Sequence, residues 1–490
     1  MADIKDSYDA VVVGAGMAGL TCGAILAKNG QSVLVIEQGA RPGGYCSSFE
    51  HAGYTFDRGL RFLTGCELGG AIYGALDELG LRDNIDFIKM EPSIRLIGSD
   101  YDFRMSSGED LEDKLIELFP METSAIRRFR AECQAVASET ERMSSKSPEL
   151  MSIWQKIASR IASVFRYRSM RRYGRKSWQQ VVEGFFEDPK LRAITLSILS
   201  YFDPGVMARL PMMILGGRED FYYPRGGAQA LADVLADGAQ RYNGDLALNT
   251  MVDSILIEGG RAGGVKLSDG REVKARHVVS NVDARQTFLK LVGEEHLKPP
   301  FARRLNEARL SSPAFVVSLG VSLNLRAMGF DGANIVYNPS DDLDELFGAD
   351  PAKCTVSINI HSILEPSQAP DSTTAVQLTA MLPYDTVEDW AAAEGAIADA
   401  LIASAEKVIP RLSQHVICRH ISSPLAFEQS TLNSRGASSG WYPAPGSKRR
   451  SQKTPIKNLY QAGQWTFPGE SVPAVVTSGK NAAQLVLKKK

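Results

Sequence analysis

No cysteine spacing in this chain suggests a staple or a metal site. The six cysteines, Cys22, Cys46, Cys66, Cys133, Cys354 and Cys418, are scattered without a C-x-x-C pair. Such usage argues against a disulfide framework or zinc site and for a reducing compartment. The six histidines form no ligand cluster, so no metal is expected. No apolar run reaches the roughly 18 residues that a membrane-spanning helix needs. A net charge of −2 over 490 residues leaves no global field to recruit nucleic acid. The opening MADIKDSYD is polar and carries acids, unlike a secretory signal. No Ser-His-Asp or Cys-His arrangement marks a covalent nucleophile. The expectation is a cytoplasmic protein, with peripheral membrane contact as an option. Its 44% apolar and 23% charged residues are those of an ordinary globular chain, long enough for two or three domains or one interleaved unit.

What is present is concentrated near the two ends. Tyr8 to Val13 is a short β-branched run that reads as a buried strand. Gly14, Gly16 and Gly19 follow as G-x-G-x-x-G, and a helical pattern runs to about Asn29, where Gly30 stops it. Ser32 to Ile36 makes a second strand, with Glu37 at its end. The first glycine permits a tight turn, the second lets backbone approach a pyrophosphate, and the third lets helix and strand pack closely. The helix N-terminus faces the phosphates, and an acid at the position of Glu37 can accept from ribose hydroxyls. Beyond it, ARPGGYCSSF adds Arg41 and the paired glycines Gly43 and Gly44. A second glycine-marked stretch, NLYQAGQWTFPGESVPAVVTSG, closes the chain.

This arrangement resembles the flavoprotein superfamily of amine oxidases, phytoene desaturases, carotenoid isomerases and retinol saturases. The resemblance implies FAD as cofactor. Glu37 and Gln38 would then serve the adenosine ribose, and Arg41, Gly43 and Gly44 the flavin-proximal half. GYTFDRGL would lead to the flavin ring through Gly59 and Leu60, and Val252 would meet the adenine with its backbone. Gly463 and Gln464 would approach the diphosphate-ribityl part, with the helix starting near Val472 aimed at the flavin. FAD is long, and opposite ends of the chain would hold its two ends. The segment FPGESVPAVVTSG is most similar to the carotenoid isomerase and retinol saturase branch. Where many relatives of that branch have His or Pro after FDxG, this chain reads GLRF, which brings Arg61 toward the flavin.

The nucleotide signatures occupy residues 1–70, 221–285 and 455–490. Residues 71–220 and 286–454 are expected to form a discontinuous substrate-binding domain that covers the flavin. The resulting fold class is mixed α/β: a Rossmann-like FAD-binding domain interleaved with a mixed β-sheet roofed by helices. Phe315 to Leu323, Thr355 to Ile360 and Ala375 to Leu382 read as strands, and Glu388 to Val408 as a helix. EGGRAGGVKLSDG carries glycines but sits between two strands, so it reads as a hairpin and supplies no second dinucleotide site. Electrons are therefore expected to travel through oxygen, a quinone or a redox partner.

The charges expected nearest the ring are Glu470 and Arg61. Each has a plainer alternative: backbone bonding at a helix start for Glu470, and a phosphate or ion-pair partner for Arg61. The leading functional reading is an FAD-dependent oxidoreductase that desaturates, saturates or isomerises a lipophilic polyene. The alternatives are an amine or amino-acid oxidase and, more remotely, an escort protein for prenylated GTPases on the same fold. Residues 151–178 place Ile153, Trp154, Ile157, Ile161, Val164, Phe165 and Arg168 at helical spacing. They also carry Lys156, Arg160, Arg166, Arg168, Arg171, Arg172, Arg175 and Lys176, with no acid from Leu150 to Val182. A basic amphipathic helix suits a membrane surface, and it equally suits a helix packed on the substrate domain with its arginines solvated.

Overall fold

The computed structural model describes residues 4–143, 147–217, 220–448 and 450–488, with backbone alone at 159–160 and 162–165. Strand β1 (Ser7–Val13) buries Ala10, Val11 and Val12 completely. It must be apolar on both sides because both faces of a parallel strand are covered. It lies between β2 (Val33–Ile36) and the strand Glu272–Ser280, parallel to both. Asp245–Ala247 extends the sheet beyond β2, and Leu459–Gln461 adds in parallel to Glu272–Ser280. Val252–Glu258 and Arg261–Leu267 pair antiparallel around Gly259 and Gly260, both at positive φ. The glycine-rich EGGRAGG is thus a hairpin.

Helix α1 (Met17–Lys28) is buried from Met17 to Ala27, packed against the helices Gly227–Arg241 and Val472–Leu487. The C-terminal helix comes close because of Gly479, where a Cβ would stand 2.2 Å from the carbonyl oxygen of Ala18. That approach brings the end of the chain back to its first glycine turn.

The second sheet runs in the order Val416–Ser422, Ala314–Val321, Thr374–Met381, Val356–Asn359, Asn334–Tyr337, Ile94–Ile97 and Asp102–Met105. Its pairs are antiparallel except Asn334–Tyr337 with Ile94–Ile97. Period-two alternation divides its faces. Phe315, Val317, Leu319, Val376, Leu378 and Ala380 join Leu401 and Ile402 of the helix Trp390–Ala405 in one core. Val316, Gln377, Thr379 and Met381 face the other way, into a cavity.

Packing crosses the boundaries expected at 70 and 285. Helix Ala71–Leu79 shares the core of α1, and Phe288, Val292 and Leu305 pack beneath Val11 and Leu34. The basic segment 151–178 is not one helix. It divides into Ile153–Phe165, Arg168–Tyr173 and a helix beginning at Trp178; Glu139 accepts from Ser169 N and Met170 N in the first turn of the second, Ser177 caps the third, and Tyr173 and Trp178 are fully buried. Arg160, Val164 and Phe165 lie outside the described side chains.

Candidate active site: a cofactor cradle open to an apolar cavity

The cradle is built on two glycine turns that meet. Gly14 has φ +94°, and a Cβ on Gly19 would lie 2.0 Å from the Gly14 oxygen, so α1 starts hard against the turn. A Cβ on Gly16 would meet Asn281 Nδ2 at 2.9 Å, and one on Gly463 would meet Asn281 Oδ1 at 2.5 Å. Asn281 therefore sits between the first and last glycine motifs, and its Nδ2 donates to the Gly14 carbonyl at 3.3 Å. The paired glycines fold back over the same turn, with Gly43 N donating to Ala15 O at 2.8 Å.

Glu37 ends β2, and its carboxylate takes backbone N–H bonds from Ala15 and Gly39, each at 2.9 Å. Its backbone bonds Ala247 and Thr250, which sets Val252 beside it on the cavity wall. Gln38 donates to Ser430 O at 3.2 Å, and Arg41 pairs with Glu50 at 3.7 Å on the surface. Gln464 reaches Asn433 Oδ1 and Ala437 O at 3.5 Å each. Ser471 caps the C-terminal helix by accepting from Ala474 N.

At the other end, the segment from Asp57 to Leu63 is fastened on both sides. The buried Asp57 carboxylate accepts from Ser48 Oγ at 2.6 Å, Tyr223 OH at 2.5 Å and Ala228 N at 3.0 Å. Ala228 lies in the first turn of Gly227–Arg241, where an acid is favoured by the exposed amides and the helix dipole. Burial, and then the charge of Asp57, hold the Tyr223 phenol well above its usual range. His361 stacks on Tyr223 and bonds the Arg61 carbonyl. Burial lowers its pKa, opposed by Asp57. Leu63 exchanges backbone bonds with Tyr222, while Phe62 stacks on Phe221 with centroids 4.0 Å apart. The Gly59-Leu60-Arg61 stretch between these fastenings lines the cavity.

Every candidate cofactor or catalytic residue except Gly19 lines this one cavity, whose volume is about 1410 Å³. A single-ligand pocket takes roughly 300–1,000 Å³, so there is room for a cofactor and a substrate together. Glu470 lines it near Tyr201 and Met381. The sequence reading missed Asn281, Tyr201, Gln377, Thr379 and Met381. Asn281 had a signal, since it ends a strand in VVSNVD as Gly14 ends β1. Tyr201 had none.

These residues fit FAD: two glycine turns leave space that side chains would fill, a carboxylate stands at the ribose end, and two helix N-termini point inward. The profile of the flavin containing amine oxidoreductase family matches residues 17–487. The chain belongs to that family; it is an FAD-dependent oxidoreductase. It is 26% identical to a phytoene desaturase (lycopene-forming) of Pseudescherichia vulneris over 508 residues, covering 97% of this chain and 98% of that one. It is 27% identical to prolycopene isomerase 1, chloroplastic, of an Oncidium hybrid cultivar over 522 residues, covering 98% and 84%. Among solved structures, cyclohexylamine oxidase from Brevibacterium oxydans IH-35A shares the fold with a TM-score of 0.65 at 18% identity, covering 98% and 99%. An oxidoreductase from Methanosarcina mazei gives 0.64 at 17%, covering 98% and 100%.

Proposed function

We propose that this enzyme changes the carbon–carbon bonds of a long lipophilic polyene by desaturation, saturation or cis–trans isomerisation. The observation that carries this reading is the continuity of the cavity. From the cofactor cradle it continues past Phe62, Tyr201, Phe202 and Leu210 to Met213, Ile214, Met143 and Met170. A small amine needs no such length. The desaturase and isomerase relatives support the same reading.

FAD supplies two-electron chemistry when bound, and the chain's own residues supply the rest. Tyr201, Phe62 and Met381 exclude water from the reacting carbons, and the second sheet forms the wall opposite the cradle. In the oxidative direction FAD would supply the two-electron acceptor for the bond change, and this chain would have to supply a base for the proton that leaves the neighbouring carbon. Glu470 is the carboxylate we assign to that proton. Oxygen, a quinone or a protein redox partner would serve as the terminal electron acceptor.

We also place the far end of the cavity against a lipid surface, with the protein peripheral on a membrane from the cytoplasm. Met143 and Met170 lie beside the segment where Ile153, Trp154, Ile157 and Ile161 are exposed, Trp154 at 76%. Lys156, Arg166, Arg168, Arg171, Arg172, Arg175 and Lys176 are exposed as well. Apolar residues in water beside a band of cations match the interfacial pattern.

A second reading, oxidation of an amino acid, is favoured by one feature, the guanidinium of Arg61 in the cavity wall. The deciding experiment mixes anaerobic holoenzyme with a panel of polyenes and a panel of amines and amino acids. Flavin absorbance and product chromatography are the readouts. Polyene conversion supports the proposal. Bleaching by amines or amino acids with no polyene turnover sinks it.

A further inference from the structure

Arg61 brings a charge into the cavity wall, where Glu470 also stands near Tyr201 and Met381 but no ion pair joins it to Arg61 among the described residues. Its Nη2 donates to the thioether sulfur of Met381 at 3.8 Å, and its Cζ lies 5.6 Å from the Tyr201 ring centroid. Among the described residues it forms no ion pair. Three other arginines of the substrate-side sheet and its surroundings have an acid beside them: Arg95 with Asp102, Arg104 with Asp331, Arg435 with Asp385. Burial pushes the Arg61 guanidinium down to about 10, so it stays charged at neutral pH. An unpaired charge in a low-dielectric wall is costly, and a flexible side chain would normally swing toward water.

The backbone beneath Arg61 gives little freedom to relocate. His361 holds its carbonyl at 2.8 Å, and the Leu63–Tyr222 pair and the Asp57 bonds hold both flanks. Thr379, which is buried, and Gln377 stand on the wall two and four residues before Met381, with their side chains on the same face. The partners of Arg61, Tyr201 and Met381, come from the substrate side, while the dinucleotide turn is built by Gly14 and Gly16.

We propose that Arg61 anchors a carboxylate on the substrate, so that the polyene taken by this enzyme is an acid and not a plain hydrocarbon. This rests on the polyene reading above. A guanidinium holds a carboxylate through two parallel bonds, which would fix one end of the chain beside Tyr201 and set the register of the double bonds along the cavity. Arg61 is an anchor in this scheme and moves no proton.

The test is a binding titration that needs no turnover. Wild-type holoenzyme, Arg61→Met and Arg61→Lys are titrated with all-trans-retinoic acid, the corresponding polyene hydrocarbon and L-phenylalanine. Perturbation of the flavin spectrum gives each Kd. Charge-assisted bonds predict that the acid binds wild type about ten- to a hundredfold tighter than the hydrocarbon. Arg61→Met should abolish that preference with hydrocarbon affinity and FAD content unchanged, and Arg61→Lys should restore part of it. Equal affinity for acid and hydrocarbon, unaffected by either variant, overturns the anchor and leaves the polyene reading standing. Loss of FAD from both variants overturns it in favour of a cofactor role. If L-phenylalanine alone binds, and Arg61→Met weakens it, the anchor for a polyene acid is overturned together with the polyene reading.

Discussion

His361 donates from Nε2 to the carbonyl oxygen of Arg61 at 2.8 Å, while its Nδ1 lies 3.8 Å from an oxygen of Asp57. The bond to a carbonyl requires a proton on Nε2, and the ring of Tyr223 stacks on the imidazole. Burial holds its folded-state pKa below the usual histidine value of 6.5. The unfolded chain therefore takes up this proton first as pH falls. The contribution of His361 is therefore complete above about pH 6.5 and is lost progressively as pH falls from there through its lower folded-state pKa. Thermal melts across pH 5 to 8 should show wild-type stability declining on the acid side. His361→Gln, which still donates to the carbonyl but does not titrate, should have a shallower decline. Parallel slopes for the two proteins would exclude His361 as the source.

Glu37 both shapes the cradle, through Ala15 and Gly39, and stands where a ribose would be held. Glu37→Ala should weaken FAD retention about ten- to a hundredfold, from charge-assisted bonds of roughly 1.5–3 kcal/mol. Glu37→Gln keeps an acceptor and should fall between. Flavin content after dialysis is the measurement, and equal occupancy in all three would remove Glu37 from the cofactor site.

Two glycines of the same unit should respond differently to alanine. At Gly19 the added Cβ meets the Gly14 oxygen at 2.0 Å, a backbone neighbour that cannot rotate away, so overpacking of about 3 kcal/mol or more is expected. At Gly30 nothing stands within 4 Å, and only the left-handed φ of +74° resists, at about 1–2 kcal/mol. Gly19→Ala should also lose FAD, because α1 must retreat from the turn. Chemical denaturation and flavin content together check both. Equal effects would mean that the close approach is not what selects glycine.

NADPH should reduce the bound flavin only slowly and without saturation. The second glycine-rich stretch is a hairpin between antiparallel strands, which presents no helix N-terminus to a second pyrophosphate. Saturable anaerobic bleaching at micromolar NADPH would reveal a nicotinamide site.

Anionic liposomes should carry the protein in flotation, and salt should release it. Reversing Lys156, Arg166, Arg168 and Arg175 to Glu removes about 1 kcal/mol per cation, or close to a thousandfold in partitioning at that rate. Trp154→Ser should weaken binding with less dependence on salt. No flotation of wild-type protein with any lipid composition would refute the membrane-facing assignment.

Much of the cofactor site was legible because its chemistry is local. A strand of β-branched residues, a glycine turn, a helix and an acid follow one another in sequence, and each step depends on neighbours one to four residues away. The alternation that gives Ala314–Val321 and Thr374–Met381 two faces is local too, although the sequence does not say which face borders the cavity. The basic segment 151–178 misled for the same reason. Its spacing suggested a single helix, whereas Glu139, distant in sequence, bonds the first turn of Arg168–Tyr173, and Tyr173 and Trp178 are buried.

The amino-acid order alone determined that a dinucleotide turn opens the chain, that Glu37 follows its second strand and that a glycine-marked stretch precedes the last helix. Tertiary packing alone decided that Asn281 lies between Gly14 and Gly463, because that meeting depends on Gly479 letting two helices touch. It also decided the state of Arg61. A guanidinium is charged wherever it is placed, but whether an acid stands beside it depends on residues such as Tyr201 and Met381, which are remote in sequence. Side-chain periodicity records which way a residue points. What it meets there is set by long-range packing.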